Sequence, residues 1–554
     1  MTVERNGFGR LPAFFKLLLG LFVLNSALTL QNRWPTFGVR WAPEFSIELA
    51  VLLLALALIV ARRGALGRAA QRALVVGYFV LILGRYADVT APALLGRSIN
   101  LYWDLGHAGR VAAMFADGVA SWRLLLAGLM LLAGSSALLW LLHWSFKVVL
   151  SALAQPSRRR WLVALAAGLL ALYGAGRASP RLLTERWFAL PVAGVFVEQA
   201  RLALAATLFR DPSRIDARAP LPAFEPGRRG PRDLFVFFLE SYGALVFDDP
   251  RFAEPLAGEF AALARDLEAA GWKSASARVE SSTFGGSSWL AHSSFLSGLR
   301  IADQGDYRDL LSSARATLVA RLTEAGYRAV AVMPGLKFAW PEGAFYRFDA
   351  IYDSQSLDYR GPAYGWWAIP DQYSLHRVQR LEVEVAGRRP LLVFFPTINS
   401  HAPFAPLPAY QPDWSRFDRD VGETGAPAPV TLSQRLEGQE LAAAYIESVR
   451  YNLKVLGGYL RQHAPRDAVL LALGDHQPPA VVGGRDLPWH VPVHVFSRQP
   501  EPIAGFLQVG FAPGLAPGPS AAGGIEMLAP LLLRILGERA SPASEPTAGA
   551  LQTR

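Results

Sequence analysis

Ser287 and Ser288 follow a Gly-Gly pair in SSTFGGSSWLAHSSFLSGLR, the stretch from Ser281 to Arg300. Gly285 and Gly286 permit a tight turn. Trp289, Phe295, Leu296 and Leu299 then recur at helical spacing, so Ser288 falls where a helix begins. Amide N–H groups converge at such a point and the helix dipole favours an anion. A hydroxyl placed there suits attack on, or binding of, a phosphate or sulfate. An N-cap serine after a glycine loop satisfies the same stretch, so the residues it keeps company with must decide.

Three further positions carry chemistry. Glu240 ends the apolar run LFVFFLE (Leu234–Glu240), His401 follows LLVFFP (Leu391–Pro396), and Asp475 with His476 closes AVLLALGDH (Ala468–His476). Glu240, the Ser288 hydroxyl, Asp475 and His476 together make an oxygen-rich set with one imidazole. Such a set suits one divalent metal ion, Zn²⁺ or Mn²⁺, and Mg²⁺ less well. A divalent ion beside Ser288 would favour its alkoxide and polarise a phosphoryl oxygen.

The elements that must position these residues are strands. With YRAVAVM (Tyr327–Met333) and VPVHVF (Val491–Phe496), the apolar runs are short, β-rich and alternate with helical segments. That pattern predicts an α/β domain with a largely parallel central sheet over residues 233–540. Functional residues gather past the carboxyl ends of the strands in such sheets, which is where Glu240, His401, Asp475 and His476 fall. His494 alternates into its strand and reads as core. The last residues, 541–554, read as a disordered tail.

The first 180 residues differ in kind. The chain of 554 residues is 52% hydrophobic, carries a net charge of +10 and has no cysteine. Disulfides, thiolate metal sites and cysteine nucleophiles are thereby excluded. Apolar runs near Leu11–Leu30, Phe45–Val60, Ala73–Leu95, Leu124–Leu150 and Trp161–Gly174 predict an α-helical transmembrane domain of about five spans. The first run has no small-residue cleavage signature after it and reads as an uncleaved anchor. Arg5 and Arg10, then Arg62, Arg63, Arg68 and Arg72, then Lys147, Arg158, Arg159 and Arg160 fall on one side of a five-span arrangement. That side should be cytoplasmic, which puts the C-terminal half outside. The arginine excess is therefore a topology signal and not a nucleic-acid surface. Arg85 and Asp88 share a helical face in the third span, as a functional pair or a self-neutralising one. Residues 181–232 read as an interfacial helix and a linker rich in Pro and Arg.

At these residues the chain resembles the alkaline-phosphatase superfamily in its sulfatase-type branch. Ser288, Phe295, Leu296, Ser297 and Gly298 have a spacing similar to the sulfatase pattern C/S-x-P-S-R-x-x-L-L-T-G. The chain departs from it at Leu290, Ala291 and His292. The layout of about five spans and an outer sulfatase-like domain resembles lipoteichoic-acid synthases, osmoregulated-glucan phosphoglycerol transferases and lipid A phosphoethanolamine transferases.

The resemblance implies that Glu240, Ser288 (in place of Thr), Asp475 and His476 hold one metal ion. Spacing back from Phe295 selects Ser288 as nucleophile, with Ser287 as the other choice. It further implies substrate-side roles for His401 in NSHAPF and His490 in WHVPVHVF, either of which could move protons. Trp340 in KFAWPEG resembles a substrate-pocket tryptophan of the lipoteichoic-acid synthases. Glu342 stands where an arginine is expected, and Lys337 or Arg347 is a nearby cation that could replace it. The implied function is transfer of a phospholipid head group, glycerol phosphate from phosphatidylglycerol, to a cell-envelope glycan or glycolipid. The implied place is the outer face of a bacterial cytoplasmic membrane. Phosphoethanolamine transfer to lipid A, a membrane-tethered phosphodiesterase or sulfatase, and a catalytically dead binding relative are the alternatives.

Overall fold

A computed structural model describes residues 12–537, apart from 34–35, 96–97, 117–118, 180–181, 183, 209–212, 228–229, 338–339, 365–366, 420–437 and 485. Arg5, Arg10 and the expected tail 541–554 lie outside the described residues. The chain divides into two compact units, Met1–Leu208 and Phe209–Arg554.

In the first unit, helices stand at each of the five apolar runs: Ala13–Leu28, Ile47–Arg63, Arg68–Leu95, Ser121–Leu153 and Pro156–Ala178. Three described helices are long and apolar enough to cross a membrane: Arg68–Leu94, Ser121–Leu153 and Pro156–Ala178. Ser46 caps the second helix by accepting from the Leu49 N–H, and Gly64 ends it at φ 78°. Leu125 and Leu131 of the fourth helix are 65% and 73% exposed. Leucines without protein against them call for an apolar surround, which a bilayer provides and water does not.

A short hairpin, β1 (Leu30–Asn32) and β2 (Val39–Trp41), follows the first helix. Arg85 is buried beside it. Its Nε donates to the Leu30 carbonyl at 2.9 Å, and Nη1 reaches the Leu190 carbonyl at 3.3 Å and Asp88 at 3.5 Å. The guanidinium is thus tied to backbone as well as to its acidic neighbour. Residues read as interfacial form the helix Val192–Leu208.

The second unit is built on one nine-stranded sheet. Its strands are β3 (Leu234–Leu239), β4 (Lys273–Glu280), β5 (Arg328–Val332), β6 (Ala350–Tyr352), β7 (Leu391–Pro396), β8 (Val469–Gly474), β9 (His490–Ser497), β10 (Ala512–Pro513) and β11 (Ala521–Gly524). The order is β10-β4-β9-β8-β3-β7-β5-β6, with β11 also paired to β4. From β8 to β6 the pairings are parallel, whereas β9 runs antiparallel to both β8 and β4, and β10 antiparallel to β4. The largely parallel sheet expected from the sequence therefore carries an antiparallel margin.

Every residue of β3 and β8 is buried. Phe235, Phe237 and Leu239 join the core on one face, under the helices Pro250–Ala269 and Gly438–Gln462. Leu234, Val236 and Phe238 join the other, against Ala291, Phe295 and Leu296 of the helix Ser288–Ser297. Burial on both faces explains why these strands read as unbroken apolar runs. Part of the stretch read as a linker belongs here too: Leu221 and Phe224 enter the second core.

Candidate active site

The parallel register sets Leu239 against Gly474 at the carboxyl ends of β3 and β8. Glu240 and Asp475, the next residues on each strand, consequently emerge side by side. Glu240 is anchored through its backbone: its N–H donates to Thr397 Oγ1 at 3.0 Å and its carbonyl accepts from Ser400 Oγ at 2.6 Å. Asn452 Nδ2 donates in turn to Ser400 Oγ at 2.7 Å. Asp475 Oδ1 accepts the N–H groups of Ser241 at 2.8 Å and His476 at 2.7 Å.

His476 Nδ1 lies 2.8 Å from the Gln477 carbonyl, which can only accept, so this nitrogen donates to it. Its Nε2 is 3.5 Å from Glu240 Oε1 and 3.6 Å from Asp475 Oδ2.

Ser288 arrives from the loop after β4. Gly285, Gly286 and Ser287 have φ of 63°, 147° and 61°, a left-handed run that ends in the first turn of the helix Ser288–Ser297. Thr283 Oγ1 donates to the Gly286 carbonyl at 2.6 Å, and the Gly285 N–H to the Gln477 carbonyl at 3.2 Å. This loop is therefore stitched to the segment carrying His476. Ser288 Oγ stands 3.1 Å from both Glu240 Oε2 and His476 Nε2. Ser287 occupies the N-cap position without a side-chain capping bond.

Glu240, Asp475 and His476 turn ligand atoms to within 4.8 Å of one another, and all three residues are buried. Asp475 Oδ2 is buried without a hydrogen-bond partner. Burial, and then the neighbouring Asp475, push the Glu240 carboxyl well above the usual carboxylate range. Burial also opposes the charge on Asp475, but His476 and His292 beside it outweigh that and hold it below its usual value. Two buried carboxyl groups, one with an orphaned oxygen, and an imidazole nitrogen thus converge. These residues fit a divalent cation.

The other residues singled out in the sequence are distributed as follows. His401 donates through Nδ1 to the Ala402 carbonyl at 2.7 Å and packs on Trp367 at 4.6 Å between ring centroids. Burial lowers its pKa, and both His476 and Asp475 act on it electrostatically. His490 opens β9 opposite Glu280, level with the carboxyl end of β8, and its carbonyl accepts from the Ala244 N–H at 3.0 Å. It takes no part in the bonds that join Ser288, Glu240 and His476. Trp340 stacks on Tyr346 at 5.7 Å, and Tyr346 OH is 2.8 Å from Ser293 Oγ. Its ring packs against the second core. Lys337 is half-buried in the loop after β5, and Arg347 is exposed at φ 61°.

Sequence reasoning missed Ser241, Thr397, Ser400 and Asn452, and passed over His292 as a mere departure from a pattern. His292 lies one turn beyond Ser288, with its ring 4.5 Å from Phe238, and burial lowers its pKa to about 4. His494 is the buried core residue expected. It sits between Ser276 Oγ at 2.7 Å and Tyr242 OH at 3.0 Å, and burial lowers its pKa to about 3.

Residues 274–493 match the family model described as Sulfatase, a segment that takes in Ser288, Asp475 and His476 and begins after Glu240. No curated protein matches the chain. Among solved structures it is similar to the lipooligosaccharide phosphoethanolamine transferase EptA from Neisseria meningitidis. That similarity has 14% identity, covers 94% of this chain and 98% of that one, and has a TM-score of 0.46. It is also similar to the lipoteichoic acid synthase LtaP from Listeria monocytogenes, with 14% identity, 60% and 78% coverage and a TM-score of 0.37. The C-terminal periplasmic domain of EptC from Escherichia coli gives 15% identity, 51% and 77% coverage and a TM-score of 0.33. The C-terminal unit thus contains an α/β segment that matches the sulfatase model, and apolar helices precede it in the chain.

Proposed function

We propose that this protein is a membrane-anchored, metal-dependent transferase of phospholipid head groups with Ser288 as its nucleophile. The observation that carries the reading is the Ser288 hydroxyl, 3.1 Å from Glu240 and His476 within a buried ligand set at the strand ends. Glu240, Asp475 and His476 would hold the ion, Mn²⁺ or Zn²⁺. When bound, the ion supplies Lewis acidity and favours the ionised form of the serine.

In the first step Ser288 Oγ forms a bond to phosphorus in the head-group phosphodiester. The bond from phosphorus to the diacylglycerol oxygen breaks, and that oxygen takes up the proton given up by the serine. In the second step an acceptor hydroxyl attacks the same phosphorus, the bond from phosphorus to Ser288 Oγ breaks, and the acceptor's proton passes to the serine oxygen. His401 is proposed to carry protons, since its Nδ1–H is engaged by Ala402 and Nε2 is left to accept. His490, at the same end of the sheet, is proposed on the substrate side.

The donor is phosphatidylglycerol and the acceptor a glycan or glycolipid of the cell envelope. The N-terminal helices anchor the enzyme in a bacterial cytoplasmic membrane, with the catalytic unit outside. Basic residues at Arg62, Arg63 and Arg158–Arg160 support that orientation. Anchoring keeps the site with a donor that diffuses in two dimensions.

The test is the intact mass of the full-length protein after incubation with Mn²⁺ or Zn²⁺ and mixed phospholipids. A glycerol-phosphate adduct on Ser288 supports the proposal, and a phosphoethanolamine adduct replaces the donor. Lipid turnover without any adduct would indicate a phosphodiesterase. Neither turnover nor adduct, despite bound metal, would sink the transferase reading.

A further inference from the structure

Ser241 is a non-glycine residue at φ 58°, and all its polar groups are engaged at the site. Its N–H donates to Asp475 Oδ1 at 2.8 Å and its hydroxyl to Glu240 Oε1 at 2.9 Å. Its carbonyl accepts from Tyr445 OH at 2.9 Å. A left-handed conformation is unfavourable for a residue with a Cβ and persists where the surroundings hold it. Here that conformation lets one buried residue reach two carboxylates that belong to different strands.

The consequence is a choice of oxygen. On Asp475, the N–H groups of Ser241 and His476 occupy Oδ1, while Oδ2 has no partner. On Glu240, the Ser241 hydroxyl occupies Oε1, while Oε2 faces the Ser288 hydroxyl. Each carboxylate thereby has one oxygen engaged by Ser241 and one turned toward the nucleophile or left open.

We infer that Ser241 is a positioning residue that presents Glu240 and Asp475 to the metal ion through one oxygen each. This rests on the metal-dependent reading above. Groups that orient metal ligands typically change affinity 10–100-fold when removed.

The experiment is Mn²⁺ titration of the detergent-purified full-length chain, with the melting temperature of the metal-free protein measured alongside. Ser241→Ala removes the hydroxyl and keeps the strained backbone, whereas Ser241→Gly removes both. Both variants should bind Mn²⁺ about 10–100-fold more weakly. The metal-free glycine variant should melt at or above the alanine variant, because the strain is gone. Affinity within about twofold of the parent in both variants would overturn the inference, as would a loss confined to Ser241→Ala, since both variants lack the hydroxyl. A parent chain that binds neither Mn²⁺ nor Zn²⁺ overturns the metal-dependent reading itself, and with it this inference.

Discussion

Ser288 Oγ lies 3.1 Å from His476 Nε2, in a ring whose Nδ1 is bound to the Gln477 carbonyl. Ser287, one position earlier, is the left-handed N-cap residue, and the hydroxyl bonded to Glu240 and His476 is that of Ser288. Ser288→Ala should therefore lose the covalent adduct and lower turnover at least ~10³-fold, as removal of a nucleophile does. Ser287→Ala should keep the adduct. Intact-mass spectrometry of both variants distinguishes them, and an adduct retained only in Ser288→Ala would reverse the assignment.

Glu240→Gln and Asp475→Asn each replace one ionisable oxygen of the buried ligand set with an amide. In the parent, saturating Mn²⁺ should raise the melting temperature, since a ligand at 100 times its Kd stabilises by about 2.7 kcal/mol. That rise should vanish in both variants, while the metal-free melting temperature stays level or increases. Chelation should abolish turnover in the parent and Mn²⁺ should restore it. Thermal melts with and without metal are the check, and an undiminished metal-induced rise would show that the ion is held elsewhere.

Asp371 is fully buried and accepts the N–H groups of Ile398 and Asn399 at 2.9 Å each, fixing the loop that leads to His401. Burial raises its pKa from 3.8 to about 7. Because the folded state holds the proton more tightly than the unfolded one, stability falls as pH rises from about 4 to about 7. A shift of that size corresponds to a loss of order 4 kcal/mol across the window. Asp371→Asn should flatten this slope. Denaturant melts of both proteins between those limits measure it, and parallel pH profiles would refute it.

Gly474 precedes Asp475, and a Cβ there would fall 1.9 Å from the Tyr242 carbonyl oxygen. Gly474→Ala should cost at least ~3 kcal/mol, the upper part of the overpacking range, because backbone rather than a side-chain tip must move. Gly258, in the helix Pro250–Ala269, has nothing within 4 Å of that position. Gly258→Ala should instead stabilise by about 1 kcal/mol. Unfolding of the two variants side by side is the measurement, and a tolerated Gly474→Ala would mean that the turn after β3 is looser than described.

The strand ends were legible because β3, β7 and β8 are buried on both faces and read as apolar runs broken by a charge or turn. β4 was not. KSASARVE has the polarity of a surface segment, and its burial comes from pairing with β9 and β10, which no local pattern announces. Ser287 and Ser288 could not be separated by sequence, since both follow the glycines and only the left-handed φ of Ser287 sets the helix phase. Ser241 sat beside Glu240 in plain view, but its role depends on Asp475, a partner 234 residues away.

That distance bears on when the ion is acquired. Glu240 and Asp475 become neighbours only after β8 has docked on β3, so a chain in which that pairing has not formed lacks the complete proposed ligand set. Closing so long a loop is a late event in folding. A chain exported before it folds would cross the membrane without its ion. The metal it finally carries would then reflect supply and exchange in the compartment where folding finishes, and not in the one where the chain was made.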